Sequence, residues 1–209
     1  MGHTPRPVAD LPIDLGDGLA ERLARILDVE AKIPRTLEAL GPVGGRDVLL
    51  LDGADGIRAR QLTELGARVQ FAKADGPAGF EAPDASADVL VSLWTSFRDG
   101  FAPDLAAASR VLRQGGRLLV VLDYGRDDVS RLRGDLPEYG LWSRRDGHFL
   151  RGGFKVRVVH AFWTFESLED AHDFLEGAFG AVGRAVAAGM KRPRLSYNVA
   201  VYHRTLGAS

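Results

Sequence analysis

The sequence of 209 residues contains no cysteine. That excludes disulfides, thiol nucleophiles and cysteine metal sites, and fits a reducing compartment, so a cytoplasmic location is expected. An excess of charge is also missing: 27 Lys and Arg stand against 28 Asp and Glu, for a net charge of −1. Nothing in that balance draws the chain toward nucleic acid or an anionic membrane. No stretch reaches the roughly 20 apolar residues of a membrane span. The opening "MGHTPRPVADLPID" lacks the continuous apolar core of a secretion signal. There is no internal repeat and no low-complexity tract. The 5 histidines form no His-x-x-x-His pair, and no Gly-x-Ser-x-Gly occurs. Neither a metal site nor a serine-hydrolase elbow is therefore expected.

What is present suits one domain, residues 1–209, with a sizeable core, because 45% of the chain is hydrophobic. Leu19, Leu23, Ile26 and Leu27 recur at helical spacing and predict a helix over Asp17–Asp28. A second helix is predicted over Ala31–Leu40, with Pro34 tolerated in its first turn. These form an N-terminal helical cap, residues 1–45, closed by the break Gly41-Pro42-Val43-Gly44-Gly45. Asp47–Leu51 is a continuous apolar run of the kind buried on both faces. A helix over Ile57–Leu65 follows, stopped by Gly66. Further strands are predicted over Arg68–Ala72, Asp88–Leu93, Arg117–Leu122, Lys155–Phe165 and Leu195–His203. Pro103–Arg113 and Ser167–Ala188 read as helices, the second opened by a capping box of Ser167 and Asp170. Residues 127–153 read as an irregular, partly helical insert with the character of a lid.

Strands alternating with helices predict a doubly wound, mostly parallel α/β sheet, with room for an antiparallel edge late in the chain. Such sheets bind ligands outside the carboxyl ends of their strands. That rule selects Asp52–Gly56, Ser92–Ser96 and Asp123–Asp127.

The stretches "DASADVLVSLW" and "ASRVLRQGGRLLVV" carry a resemblance. Ser109–Val121 resembles the helix–Gly-Gly–strand signature of class I S-adenosylmethionine-dependent methyltransferases. Asp88 stands at the acidic position that opens their fourth strand, and "VLLLDGADG" falls where their cofactor loop lies. The resemblance runs from about Pro34 to Tyr124. It implies a Rossmann-like fold, S-adenosylmethionine as cofactor and methyl transfer to a small molecule. The loop departs from the family pattern. Its acid and three alternating glycines align with Leu50, Asp52, Ala54 and Gly56, so only the last matches. The acid after the second strand aligns with Lys73, and Asp75 follows two residues later. The chain between Ala72 and Asp88 is too short for the usual helix and third strand, so a trimmed sheet is expected.

On this resemblance Asp52, Gly53, Ala54, Asp55 and Gly56 would hold the methionine part of the cofactor. Asp52 suits its cationic ammonium, and Asp55 serves equally as a cap for the following helix. An acidic loop suits a pyrophosphate poorly, which argues against a nicotinamide dinucleotide. Asp75 and Trp94 would flank the adenosine, although turn formation explains Asp75 and core packing explains Trp94 as well. Tyr124 or His148 would orient the acceptor or take a proton. Tyr139, Trp142 and Phe149 would give the insert an apolar wall, and Arg144, Arg145 and Arg151 would meet an acidic group on the acceptor, although a solvated insert explains these charges as well. The alternative is a binding or scaffolding protein that keeps the fold and has lost the cofactor, motivated by Leu50, Ala54 and Lys73. Neither a membrane nor nucleic acid is an expected partner, and the sequence leaves the oligomeric state open.

Overall fold

The structure is a computed structural model that describes residues 11–53, 56–74, 79–98 and 101–206. Its strands are β1 (Asp47–Leu51), β2 (Arg68–Ala72), β3 (Ala87–Leu93), β4 (Leu112–Asp123), β5 (Lys155–Thr164) and β6 (Arg194–Thr205). They form one six-stranded sheet in the order β2-β1-β3-β4-β6-β5. β1 pairs in parallel with β2 and β3, and β3 in parallel with β4. β6 runs antiparallel between β4 and β5. The expected α/β sheet with a late antiparallel strand is thus present. Val48 to Leu51 are all buried, as a parallel strand covered on both faces requires.

The helices are α1 (Asp17–Ile26), α2 (Lys32–Leu40), α3 (Ile57–Glu64), α4 (Phe101–Val111), α5 (Asp128–Leu132), α6 (Pro137–Ser143), α7 (His148–Arg151) and α8 (Leu168–Ala188). One face of the sheet, presenting Val48, Leu50, Val89, Val91, Leu119 and Val121, is covered by α1, α2, α3, α5 and α8. The other, presenting Leu49, Leu51, Leu90, Leu118 and Val120, is covered by α4, α6 and α7. The N-terminal cap is fastened by Asp28. Its carboxylate accepts the Lys32 and Ile33 N–H groups at the start of α2. It also lies 3.7 Å from buried Arg58 of α3. α8 opens as expected, with Ser167 Oγ accepting the Asp170 N–H, but the reciprocal half of the box is displaced: Asp170 Oδ2 accepts from Glu166 N–H. Among the described residues no helix is long and apolar enough to cross a membrane.

Between β2 and β3 the described residues contain no helix or strand, only the isolated bridge of Ala74 with Phe80. The sheet is trimmed there and β2 is its edge. Elsewhere the expected boundaries need correcting. β4 begins at Leu112, which pairs with Ala87, and a register shift separates that pair from Val89 with Arg117. Gly115 and Gly116 therefore lie inside the strand rather than before it. Gly115 has φ +77, and a Cβ on Gly116 would come within 2.8 Å of the Arg113 carbonyl. Glycine is required at both positions.

Asp88 is used at the amino end of this sheet. Its Oδ2 accepts the Asp47 N–H, and Arg113 reaches both Asp88 and Asp47. Bonds from Arg68 and Arg113 hold the Asp47 carboxyl below its ordinary value of 3.8. Burial pushes Asp88 up, but the Asp47 N–H and Arg113 outweigh it and leave it lowered from 3.8. Lowered carboxyls contribute stability that is present above 3.8 and is lost as the pH falls through their folded values. The urea midpoint should drop over that acid range, and drop less in Arg113→Ala. Identical acid profiles for the two proteins would remove this clamp from the account.

Candidate functional site

The chain leaves β1 for β2 on one side and then crosses to β3 on the other. The order reverses between β1 and β3, and the crevice outside their carboxyl ends is the switch point where ligands of open α/β sheets bind. Asp52, at the β1 end, has φ +52. It stands where the resemblance puts the first glycine, and aspartate is among the few other residues that enter the left-handed region readily. Its N–H donates to the Ala72 carbonyl, and its Oδ1 accepts the Ala74 N–H at 3.0 Å. One carboxylate oxygen thus ties the β1 turn to the end of β2, while Oδ2 carries no hydrogen bond among the described residues. A Cβ on Gly53 would sit 3.1 Å from Leu50 Cδ2, which favours glycine in this turn. Gly56 N–H donates to the Gly53 carbonyl, and α3 starts at the next residue. Leu50 is buried in the core and Lys73 is exposed. Ala54, Asp55 and Asp75 lie outside the described residues.

At the β3 end Trp94 has φ +57 and is 0% exposed. Its ring packs with the core beneath the sheet end, so of the two readings of this residue the structure carries core packing, because no face of the indole is open for stacking. The polar atoms here are unsatisfied. Trp94 Nε1, Thr95 Oγ1 and Ser96 Oγ are buried without a hydrogen-bond partner among the described residues. Unpaired buried donors are rare and call for an explanation. Arg98 closes this end of the crevice: it donates to the Trp94 carbonyl at 3.2 Å, lies 3.5 Å from Glu138 of α6 and stands 5.1 Å over the Trp142 ring.

The β4 end holds a buried polar network. Asp123, 2% exposed, accepts from Arg133 Nη1 at 2.7 Å and from the Tyr197 hydroxyl. Burial, and then Asp123, push the Tyr197 phenol well above its ordinary value. Asp127 caps α5 through the Ser130 N–H and also accepts the Asn198 N–H. Burial raises its carboxyl despite those bonds. Asn198 fastens the loop between β4 and α5: Tyr124 N–H donates to its carbonyl, and its Nδ2 reaches the Gly125 and Arg126 carbonyls. The next shell outward is a cleft of 260 Å³ lined by Tyr124, Arg126, Asp135, Leu136, Pro137, Tyr139, Gly140 and Ser143. The Tyr139 hydroxyl is buried without a partner among the described residues, and burial and Asp123 raise its pKa. It remains a protonated donor rather than a base at neutral pH.

The three selected strand ends lie side by side, as the strand order dictates, and Tyr124 lines the cleft beside them. His148 is not among that lining. It opens α7, with its ring 4.4 Å from Phe149. The insert is no free flap either. Trp142 and Phe149 are 3% and 0% exposed, and Phe149 stacks on Tyr202 of β6 at 4.0 Å. These aromatics are core of one sheet face, and of the expected wall only Tyr139 meets the cleft. Arg144, Arg145 and Arg151 are exposed and outside that lining, and Arg144 is paired with Asp146. Thr95 and Ser96 lay within the selected Ser92–Ser96 segment without being singled out, and Arg98, Arg133 and Asn198 were missed. The unsatisfied hydroxyls had a weak signal in "SLWTSF"; the others meet only through the fold.

No protein-family model matches the chain, and no curated protein matches its sequence. Solved structures do match it. A proposed methyltransferase from an antibiotic biosynthesis pathway of Anabaena variabilis superposes with a TM-score of 0.54 at 13% identity, over 87% of this chain and 99% of that one. A proposed type II methyltransferase from Anaeromyxobacter dehalogenans gives 0.52 at 17% identity, over 83% and 94%. The MccD protein gives 0.51 at 12% identity, over 86% and 99%. At such identities the likeness is one of fold.

Proposed function

We propose that this chain, which has the Rossmann-like methyltransferase fold, binds S-adenosylmethionine and transfers its methyl group to a small-molecule acceptor. The observation that carries the reading is the retained turn at the switch point: Asp52 in the left-handed conformation, followed by Gly53, between β1 and a β3 end with unsatisfied buried donors. The donor set suits the cofactor's chemistry. Asp52 Oδ2 is a counter-ion for an ammonium group, and the backbone at Gly53 and Gly56 completes the cradle. Thr95 Oγ1 and Ser96 Oγ are hydroxyls able to meet polar atoms of a ligand. When bound, the cofactor supplies a sulfonium, a methyl donor already activated. What the protein adds is then alignment of donor and acceptor, which supplies much of the rate in such transfers. Tyr124, at the cleft mouth, orients the acceptor. α6, latched through Arg98, excludes water from the β3 end.

A second reading has its own support: a binding protein that keeps the fold without the reaction. Asp52 Oδ1 is already used by Ala74 N–H, Lys73 stands where an acid would meet the ribose, and Trp94 is closed. Thermal unfolding separates the two. Saturating S-adenosylhomocysteine should raise the melting temperature in proportion to the logarithm of its concentration, since only the native state binds it. A melting temperature indifferent to millimolar ligand favours the second reading.

A further inference from the structure

We infer that the cleft beside β4 takes a single-ring acceptor bearing one carboxylate, and that Arg126 is the residue that selects it. This rests on the function proposed above and names its substrate class. The loop is built to present this side chain. Gly125 has φ +81 and Arg126 φ +60, two successive left-handed residues. Gly125 lies under Tyr139, where a Cβ would come within 3.0 Å of the tyrosine Cβ and ring. Arg126 is a long side chain in a conformation such residues seldom adopt, and such residues persist where the surroundings over-determine them, often at ligand sites. The surroundings here are Asn198, whose side chain holds both carbonyls at 3.2 and 3.3 Å. The guanidinium so presented stands 5.9 Å over the Tyr124 ring and has no ion pair among the described residues. Two other arginines at this end are engaged, Arg98 with Glu138 and Arg133 with Asp123.

The remaining lining sets the size and charge of the ligand. At 260 Å³ the cleft is smaller than the about 300–1,000 Å³ of sites for drug-sized molecules, which points to one ring. Tyr124 and Tyr139 give its lining aromatic surface, and Leu136 and Pro137 add apolar surface. Asp135 lines the same cleft and has no ion pair with Arg126 among the described residues, so a group of two negative charges, such as a phosphate, is repelled about twice as strongly as a single carboxylate.

The probes are 4-hydroxybenzoate and its neutral amide, 4-hydroxybenzamide, titrated by calorimetry into the whole chain, into Arg126→Gln and into Tyr124→Ala. The native protein should bind the carboxylate roughly fivefold more tightly than the amide, the size expected of one partly exposed charge pair. Arg126→Gln should bring the two probes within about twofold, and Tyr124→Ala should weaken both. Equal binding of the probes by the native protein, no binding of either, or a preference that survives Arg126→Gln overturns the inference. Titration of the same proteins with S-adenosylhomocysteine separates the two readings. Carboxylate selection without cofactor binding leaves Arg126 in place and removes the methyl transfer, whereas cofactor binding without selection does the reverse.

Discussion

Asp123→Ala should destabilise the protein by about 3–5 kcal/mol, the loss typical of removing one partner from a buried ion pair. Asp123 is 2% exposed and Arg133 only slightly more open, and the substitution leaves that guanidinium without its carboxylate. Tyr197, 1% exposed, loses its acceptor at the same time. Urea unfolding measures the effect. Asp123→Leu combined with Arg133→Met should recover part of the loss, because removing both charges relieves the desolvation that a lone charge cannot escape while the Tyr197 hydroxyl stays without its acceptor. A single-variant loss below about 1 kcal/mol, or a double variant no better than the single, would mean that this network is solvated and does not hold the β4 end in place.

Asp52→Ala should weaken S-adenosylhomocysteine binding by more than about tenfold, since a charge-assisted bond to an ammonium group is lost. It should also destabilise the turn, because alanine at φ +52 pays the left-handed penalty and the Ala74 N–H loses its acceptor. Asp52→Gly isolates the loss of the carboxylate, with its bond to the Ala74 N–H, from the backbone penalty, because glycine adopts the left-handed conformation freely. Lys73→Ala should change affinity by no more than about twofold, as an exposed charge does. Equal losses in the Asp52 and Lys73 variants, or tighter binding without Asp52, would show that the wrong group or the wrong ligand has been assigned.

Much of this architecture is legible in the sequence for simple reasons. β1 is an uninterrupted apolar run with a glycine break before it and a helix after it, so its place and its carboxyl-end loop follow directly. The lack of another strand among the described residues there is legible from length: the residues between Ala72 and Ala87 are too few, and too rich in Gly, Pro and Asp, for another crossover. β4 was misjudged at its start because its first residues are strand only by virtue of Ala87 and Leu206 beside them. Gly-Gly reads as an interruption until that register shift is known. The role of Trp142 and Phe149 in the insert was hidden for a related reason. Aromatics spaced among glycines and arginines look like a mobile wall, and nothing local reveals that Phe149 lies flat on Tyr202 from more than fifty residues away.

The site was legible in part. Asp52 could be placed at a strand end but not in the left-handed conformation that lets it replace a glycine. Tyr124 could be placed beside the cleft because it follows a strand. Arg126 lies within the selected Asp123–Asp127 segment, but its significance depends on Asn198, which arrives from the last strand. Charge networks of this kind have no sequence period, so Asp123, Arg133 and Tyr197 could not be associated before the fold brought them together.

The central claim is that the turn at Asp52 still holds the cofactor. Calorimetric titration of the native chain with S-adenosylhomocysteine tests it most directly. The account predicts a saturable heat with one site per chain, largely retained in Lys73→Ala and largely lost in Asp52→Ala. Absence of any saturable heat at millimolar ligand, from a protein whose unfolding transition is intact, would contradict it.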